Sequence, residues 1–189
     1  RSLITATISR YRDAIQFVFD QTVRGANRGL SLDELIAEVC LPELFDSDFH
    51  TQQLYGLVEH HIRQVYTGLF GWFDEDESKL FPTPQPEKAV KMIAAFGGID
   101  GSRQLCDQAL GQKDYRWSIE VASHLVKGQV NAPEEDRLRL AAGLKGVAYS
   151  TPSANARNWC LTRALELEGQ LDLSRFRVHR FREREILTT

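Results

Sequence analysis

The sequence predicts an all-α protein, in which a long helical arm is followed by tetratricopeptide-like antiparallel helix hairpins and a short extended C-terminal tail. Two observations lead to this fold class. Through most of the chain apolar residues recur at three- and four-residue steps, which is the period of an amphipathic helix. The prolines and the Gly97–Gly98 pair fall between these stretches, at positions where helices end.

The first 29 residues are predicted to form one long amphipathic helix. Its apolar positions follow the helical period: Ile8, Tyr11, Ile15, Val18 and Phe19. Phe17 and Val23 make the apolar surface wider than a single face, and Gly29 marks a stop. Ser31 and Glu34 have the spacing of a capping box, so a short helix is expected to follow and to end before Pro42.

A second long helix is predicted from about Leu54 to Phe70. The proline-rich stretch that follows, "FPTPQPEKA", indicates a stiff connector, and Pro86 suits the first turn of the next helix. These features predict an arm with dimerisation helices and a connector over residues 1–85.

Residues 86–170 are predicted to form the helical hairpins. Two helix pairs, with turns at Gly111–Asp114 and Ser150–Ser153, begin roughly one tetratricopeptide period of ~34 residues apart. Residues 171–189 are predicted to be an extended tail or the start of a further domain, because apolar and polar residues alternate over 176–181.

Composition excludes several classes of function. The 189 residues carry a net charge of -3, which gives no electrostatic case for nucleic acid, although the arginine-rich tail leaves RNA binding as a lesser alternative. Three cysteines far apart make neither a disulfide framework nor a zinc knuckle. No apolar run approaches the ~20 residues of a membrane span. The sequence starts with Arg1 rather than Met, which predicts a fragment or a processed product.

No catalytic or metal-binding set is predicted within the chain. His60 and His61 are adjacent, and neighbouring helical residues point about 100° apart, so the pair does not clasp one ion. Zinc motifs such as HExxH and HxHxDH, the nucleophile motif GxSxG and glycine-rich phosphate loops are all absent from the sequence.

An excess of aromatic residues remains on the two long helices. We expect their apolar faces to be too wide to be covered within one chain, which predicts an isologous contact between two copies. The residues expected at this dimer interface are Ile15, Phe17, Phe19, Val23 and Tyr55. A free-standing helical-repeat module that binds a peptide is the alternative.

Two stretches, "YRDAIQFVFDQTVRGANRGLSLDEL" and "LYGLVEHHIRQVYTGLFGWFDEDESKLFPTPQPEKA", closely resemble the helical region of the alkyl sulfatases. These are zinc-dependent enzymes of the metallo-β-lactamase superfamily that hydrolyse alkyl sulfates such as dodecyl sulfate. The resemblance continues through "KDYRWSIEVASHLV" and "NARNWCLTRALEL" and covers roughly residues 8–168. His60–His61 and "DEDES" depart from the Trp-Ser pair and the "DGNP" that are usual in the family.

The resemblance implies that this segment is the dimerisation domain of a sulfuric ester hydrolase and is inactive alone. The zinc ligands are expected in a preceding metallo-β-lactamase-type domain, with a homodimer and an alkyl sulfate substrate as partners of the parent enzyme. An apolar helical surface is able to select alkyl chains at ~0.8 kcal/mol per buried methylene. The residues expected to line the active-site entrance are Tyr66, Phe70, Trp72 and Phe73.

Overall fold

The computed structural model describes residues 2–173, and every regular element in that range is helical. In chain order the helices are α1 (Ser2–Ala26), α2 (Leu32–Glu38), α3 (Glu43–Asp46), α4 (Val58–Phe70), α5 (Gln85–Ala95), α6 (Gly98–Gly111), α7 (Tyr115–Lys127), α8 (Glu134–Ser150) and α9 (Ala154–Leu167). A single 3₁₀ turn lies at Glu77–Lys79. The all-α fold class is therefore confirmed, and the strand predicted over 176–181 lies outside the described residues.

The described chain divides into two compact units. The first comprises residues 2–82 together with Pro152–Ala156, and the second comprises Thr83–Thr151 together with residues 157–173. Helices α1, α2 and α4 pack on one another in the first unit, whereas α5, α6, α7 and α8 pack on one another in the second.

The core of the first unit is small. Its buried side chains are Val18, Leu32, Leu35, Val58, Ile62 and Tyr66. Gly25 lets α1 and α2 approach each other, because a Cβ at this position would lie 2.4 Å from Cδ2 of Leu35. The predicted capping box is present: the Ser31 side chain accepts from the Glu34 N–H, and the Glu34 carboxylate accepts from the Ser31 N–H at 2.8 Å.

Helix α4 begins at Val58, four residues later than the sequence predicted. The carbonyl of Leu54 accepts a hydrogen bond from the N–H of Ala154 at 2.8 Å, and the carbonyl of Tyr55 accepts from the Ser153 hydroxyl, also at 2.8 Å. These carbonyls satisfy donors at the start of α9 and are not available for a helical turn of their own. The side-chain oxygen of Gln53 accepts from the Val58 N–H at 2.8 Å and caps α4 instead.

The second unit has a larger core and a buried ion pair. Its core side chains are Ile93, Cys106, Val121, Ala122, Leu125, Leu140, Ala141, Ala164 and Leu167. Asp136 is fully buried and accepts two hydrogen bonds from the Arg103 guanidinium, at 2.8 and 3.0 Å, and one from Gln129 at 2.9 Å. Burial alone raises the pKa of a carboxyl, but these hydrogen bonds outweigh it and hold the pKa of Asp136 below its usual value.

Candidate dimerisation surface

Helix α1 carries an exposed apolar stripe along most of its length. The members of this stripe are Leu3, Ile4, Ile8, Tyr11, Ile15 and Phe19. They recur at helical spacing, so they share one face of α1. None of residues 2–13 is buried, and the four buried residues of α1 all lie in its second half. The first half of the helix therefore shows its apolar side chains to solvent in the single chain.

The stripe leads into a groove between α1 and α4. Its larger part has a volume of ≈380 Å³ and is lined by Tyr11, Ile15, Val18, Phe19, His61, Gln64 and Val65. An adjoining pocket of ≈140 Å³ shares Tyr11, Ile15, Val18 and His61 with it and also includes Tyr55 and Gly56. We call these two parts together the α1–α4 groove. Most of its lining side chains are apolar or aromatic.

The lining of the α1–α4 groove contains no Asp, Glu, Lys or Arg among the described residues. Charged side chains of α1 find their partners elsewhere: Arg10 binds Asp48, and Arg12 binds Asp13. Two identical surfaces that meet across a two-fold axis place like groups near like groups, so an interface of this kind is favoured when such charges are absent.

The structure brings three of the five predicted interface residues together. Ile15, Phe19 and Tyr55 line the α1–α4 groove. Phe17 faces the other side of α1, where it packs on the core of its own unit and its ring lies 6.2 Å from that of Phe45. Val23 is half-buried and lies outside the lining of the groove.

The four aromatic residues expected at a substrate entrance lie in different environments. Tyr66 is part of the core, and burial raises the pKa of its phenol, with the carboxylates of Glu75 and Asp74 adding to the shift. Phe70 ends α4 and lies 5.3 Å from the Tyr66 ring, between ring centroids.

Trp72 and Phe73 follow the end of α4, where Gly71 adopts a φ of 95° that favours glycine. The two rings form an edge contact with centroids 5.7 Å apart. Trp72 is 66% exposed, so its ring does not fill the end of the helix within this chain. An exposed indole of this kind is available to a second surface.

Within residues 2–173, no group of three or more His, Cys, Asp or Glu side chains lies close enough together to hold a metal ion. His60 and His61 do not form part of any such group. The donor set that zinc requires is therefore not provided by the described residues. None of the described helices has both the length and the apolar character needed to cross a membrane.

The groove includes residues that the sequence did not single out as interface residues. Tyr11 belongs to the apolar period of α1. Its spacing of four residues from Ile15 predicts that both side chains lie on the same face of the helix. Leu3 and Ile4 extend the same period toward the start of the helix. His61 gave no such signal, because its place beside α1 depends on how α1 and α4 pack.

A helical fold that leaves an apolar face exposed, as the described residues do along α1, is typical of a protein-interaction domain. The model of the alkyl sulfatase dimerisation family matches residues 31–170. The chain belongs to this family. The match covers most of the chain and begins at the capping box that precedes α2.

Curated relatives agree with the family. A linear primary-alkylsulfatase of a Pseudomonas species is 35% identical over 176 residues, which are 91% of this chain and 33% of the relative. An (R)-specific secondary-alkylsulfatase of a Pseudomonas species is 31% identical over 82% of this chain and 24% of the relative. The chain therefore spans a third or less of the length of these relatives.

Solved structures give the same result. The stereoselective inverting sec-alkylsulfatase Pisa1 from a Pseudomonas species matches with a TM-score of 0.80 and 30% identity, over 87% of this chain and 26% of that one. A double mutant of the same sulfatase matches with a TM-score of 0.81. These similarities favour an alkyl sulfatase dimerisation domain over a free-standing helical-repeat module.

Proposed function

We propose that this chain dimerises an alkyl sulfatase by packing the α1 stripe and the α1–α4 groove against the same surface of a second copy. The observation that carries the proposal is the exposed apolar face of α1, which is continuous with an uncharged groove. Burying an Ile or Phe side chain stabilises an interface by about 1.5–3 kcal/mol. A contact that includes the stripe from both copies covers six large apolar side chains from each.

The chemistry of the parent enzyme belongs to a region other than this chain. Since the chain spans a third or less of the relatives' length, the zinc-binding, metallo-β-lactamase-type domain of the parent is proposed to precede α1. In this proposal residues 1–85 form the dimerisation arm and connector and residues 86–170 form the helical hairpins, while most of residues 171–189 lie outside the described residues. The substrate class is taken from the names of the relatives, which are alkylsulfatases.

The dimer is tested by placing a charge in the groove. We expect Ile15→Asp to raise the dimer dissociation constant at least about 100-fold, because a two-fold contact would bury one unpaired carboxylate from each copy. Ala6→Asp is the matched control, since Ala6 is exposed on the side of α1 opposite to Ile15. Sedimentation equilibrium measures both variants. Equal dissociation constants for the two variants would contradict the proposed interface.

We further propose that Phe70, Trp72 and Phe73 border the alkyl-chain entrance of the parent enzyme, with Tyr66 supporting Phe70 from the core. The support for this is the exposed Trp72 indole and its contact with Phe73. In the full-length enzyme, Trp72→Ala should lower kcat/KM for long alkyl sulfates more than for short ones. The expected loss is about tenfold, equivalent to about two methylenes of lost contact. A loss that is independent of chain length would refute the assignment.

A further inference from the structure

His61 lies at the centre of the α1–α4 groove, because it lines both the larger part and the adjoining pocket. Its Nε2 atom lies against Gly56, where a Cβ would be only 2.9 Å away. Gly56 has no positive φ, so its lack of a side chain serves to make room for the imidazole ring. The ring is thus held in the groove by the packing around it.

No charged group accompanies His61 in the groove. The titratable side chains that α1 and the segment before α4 contribute to the lining are the phenols of Tyr11 and Tyr55. The backbone N–H of His61 donates to the Leu57 carbonyl at 3.1 Å, whereas its imidazole makes no hydrogen bond or ion pair within residues 2–173.

The nearest charged residues of the surrounding elements have partners of their own. On α1 and the segment that follows α3, Arg10 binds Asp48, which also lies 3.4 Å from His50 Nδ1. On α4, Arg63 binds Glu59. An imidazolium at position 61 therefore has no carboxylate in the groove to neutralise it.

We infer that His61 makes dimerisation pH-sensitive, with the second copy covering the groove only while this imidazole is neutral. The inference rests on the proposed dimer and adds its regulation. In the single chain the ring is exposed to water, where an imidazolium is solvated. Covering the groove removes water from the ring and provides no counter-charge, so the dimer binds fewer protons than two separate chains. Dimer affinity is then highest while the imidazole is neutral and falls as the pH is lowered into the range in which histidine side chains take up a proton.

The size of the effect follows from proton linkage. Exclusion of one proton from each copy raises the dissociation constant by up to about 100-fold per pH unit, and the measurement spans about pH 7.5 to about pH 5.5. We expect a rise of at least about tenfold, since partial solvation of the ring reduces this limit.

The test is fluorescence-detected sedimentation of the labelled chain across this pH range, with circular dichroism to monitor helix content. His61→Gln keeps a polar side chain but does not titrate, and it should make the dissociation constant nearly independent of pH. His50→Gln is the matched control, because His50 is exposed outside the groove, and it should keep the pH dependence of the parent chain.

The outcomes separate the inference from the proposed function. A dimer whose affinity does not change with pH, or one whose pH dependence survives in His61→Gln, overturns the role of His61 and leaves the dimer intact. A chain that is monomeric at all concentrations at about pH 7.5 overturns the proposed dimer, and the inference with it.

Discussion

The two units of this chain differ in how far their amphipathic helices are buried. In the second unit α7 buries Ser118, Val121, Ala122 and Leu125, which are spread over its 13 residues. In the first unit α1 is 25 residues long and buries the same number, all of them after residue 13. Both helices are amphipathic, so the difference lies in what covers them. The second unit surrounds α7 with α5, α6 and α8, whereas α1 packs mainly on α2 and α4 and has no buried residue before Ala14.

Polar contacts differ in the same way. The second unit buries the Asp136 carboxylate completely and surrounds it with Arg103 and Gln129. In the first unit the buried carboxylate of Asp74 pairs with Lys79, whose side chain is 47% exposed, and the other ion pairs lie nearer the surface; in the pair of Arg28 and Glu38, for example, both side chains are more than half exposed. A surface pair of this kind contributes little to stability. The comparison shows that the second unit buries its own apolar and charged groups, whereas the first leaves the apolar face of α1 exposed, and this is the face that the proposed dimer would cover.

The largest effect is expected from the buried carboxylate of the second unit. Asp136→Ala should lower the free energy of unfolding by about 3 kcal/mol, because it leaves the Arg103 guanidinium partly buried without its counter-charge. Urea denaturation measures this loss, which should be the same at every protein concentration. A loss that grows on dilution would show that this unit also depends on a second copy, and the comparison would break.

Asp136→Asn separates charge from shape at the same position. It should cost less than Asp136→Ala, since the amide oxygen still accepts a hydrogen bond from Arg103. The lowered pKa of Asp136 means that its carboxylate stabilises the fold at neutral pH and that this contribution is lost as the pH falls through the acidic range. The asparagine variant should therefore lose less stability between neutral and acidic pH than the parent chain does.

A smaller effect is expected from the capping box of the first unit. Ser31→Ala removes the side chain that accepts from the Glu34 N–H and should cost about 1 kcal/mol. Thermal unfolding followed by circular dichroism measures the change, and Ser31→Asp, which keeps a capping oxygen, should restore most of it. If Ser31→Asp is as unstable as Ser31→Ala, the cap does not stabilise α2.

Local signals in the sequence predicted much of the fold. The capping box at Ser31 and Glu34 and the turns after Gly111 and Ser150 depend on neighbouring residues, and the structure has them where the sequence placed them. The start of α4 was wrong by four residues. The hydrogen bond that keeps the Leu54 carbonyl out of α4 comes from a residue about 100 positions away. No local pattern in the sequence reveals a contact at this separation.

The candidate site was only partly predictable for the same reason. The period of α1 identified Ile15 and Phe19, but Phe17 was grouped with them although it lies on the other side of the helix. An excess of aromatic residues in the sequence does not by itself show on which face of a helix each residue lies. Arg103 and Asp136 are 33 residues apart, and their pairing depends on the packing of α6 against α8. Such a pair is invisible to helical periodicity.

The oligomeric state of the unmodified chain tests the central claim most directly. Sedimentation equilibrium over a dilution series at neutral pH should give twice the chain mass of 21.5 kDa, with dissociation only at the lowest concentrations. A folded species that keeps the mass of one chain at every concentration would contradict the claim that a second copy covers α1.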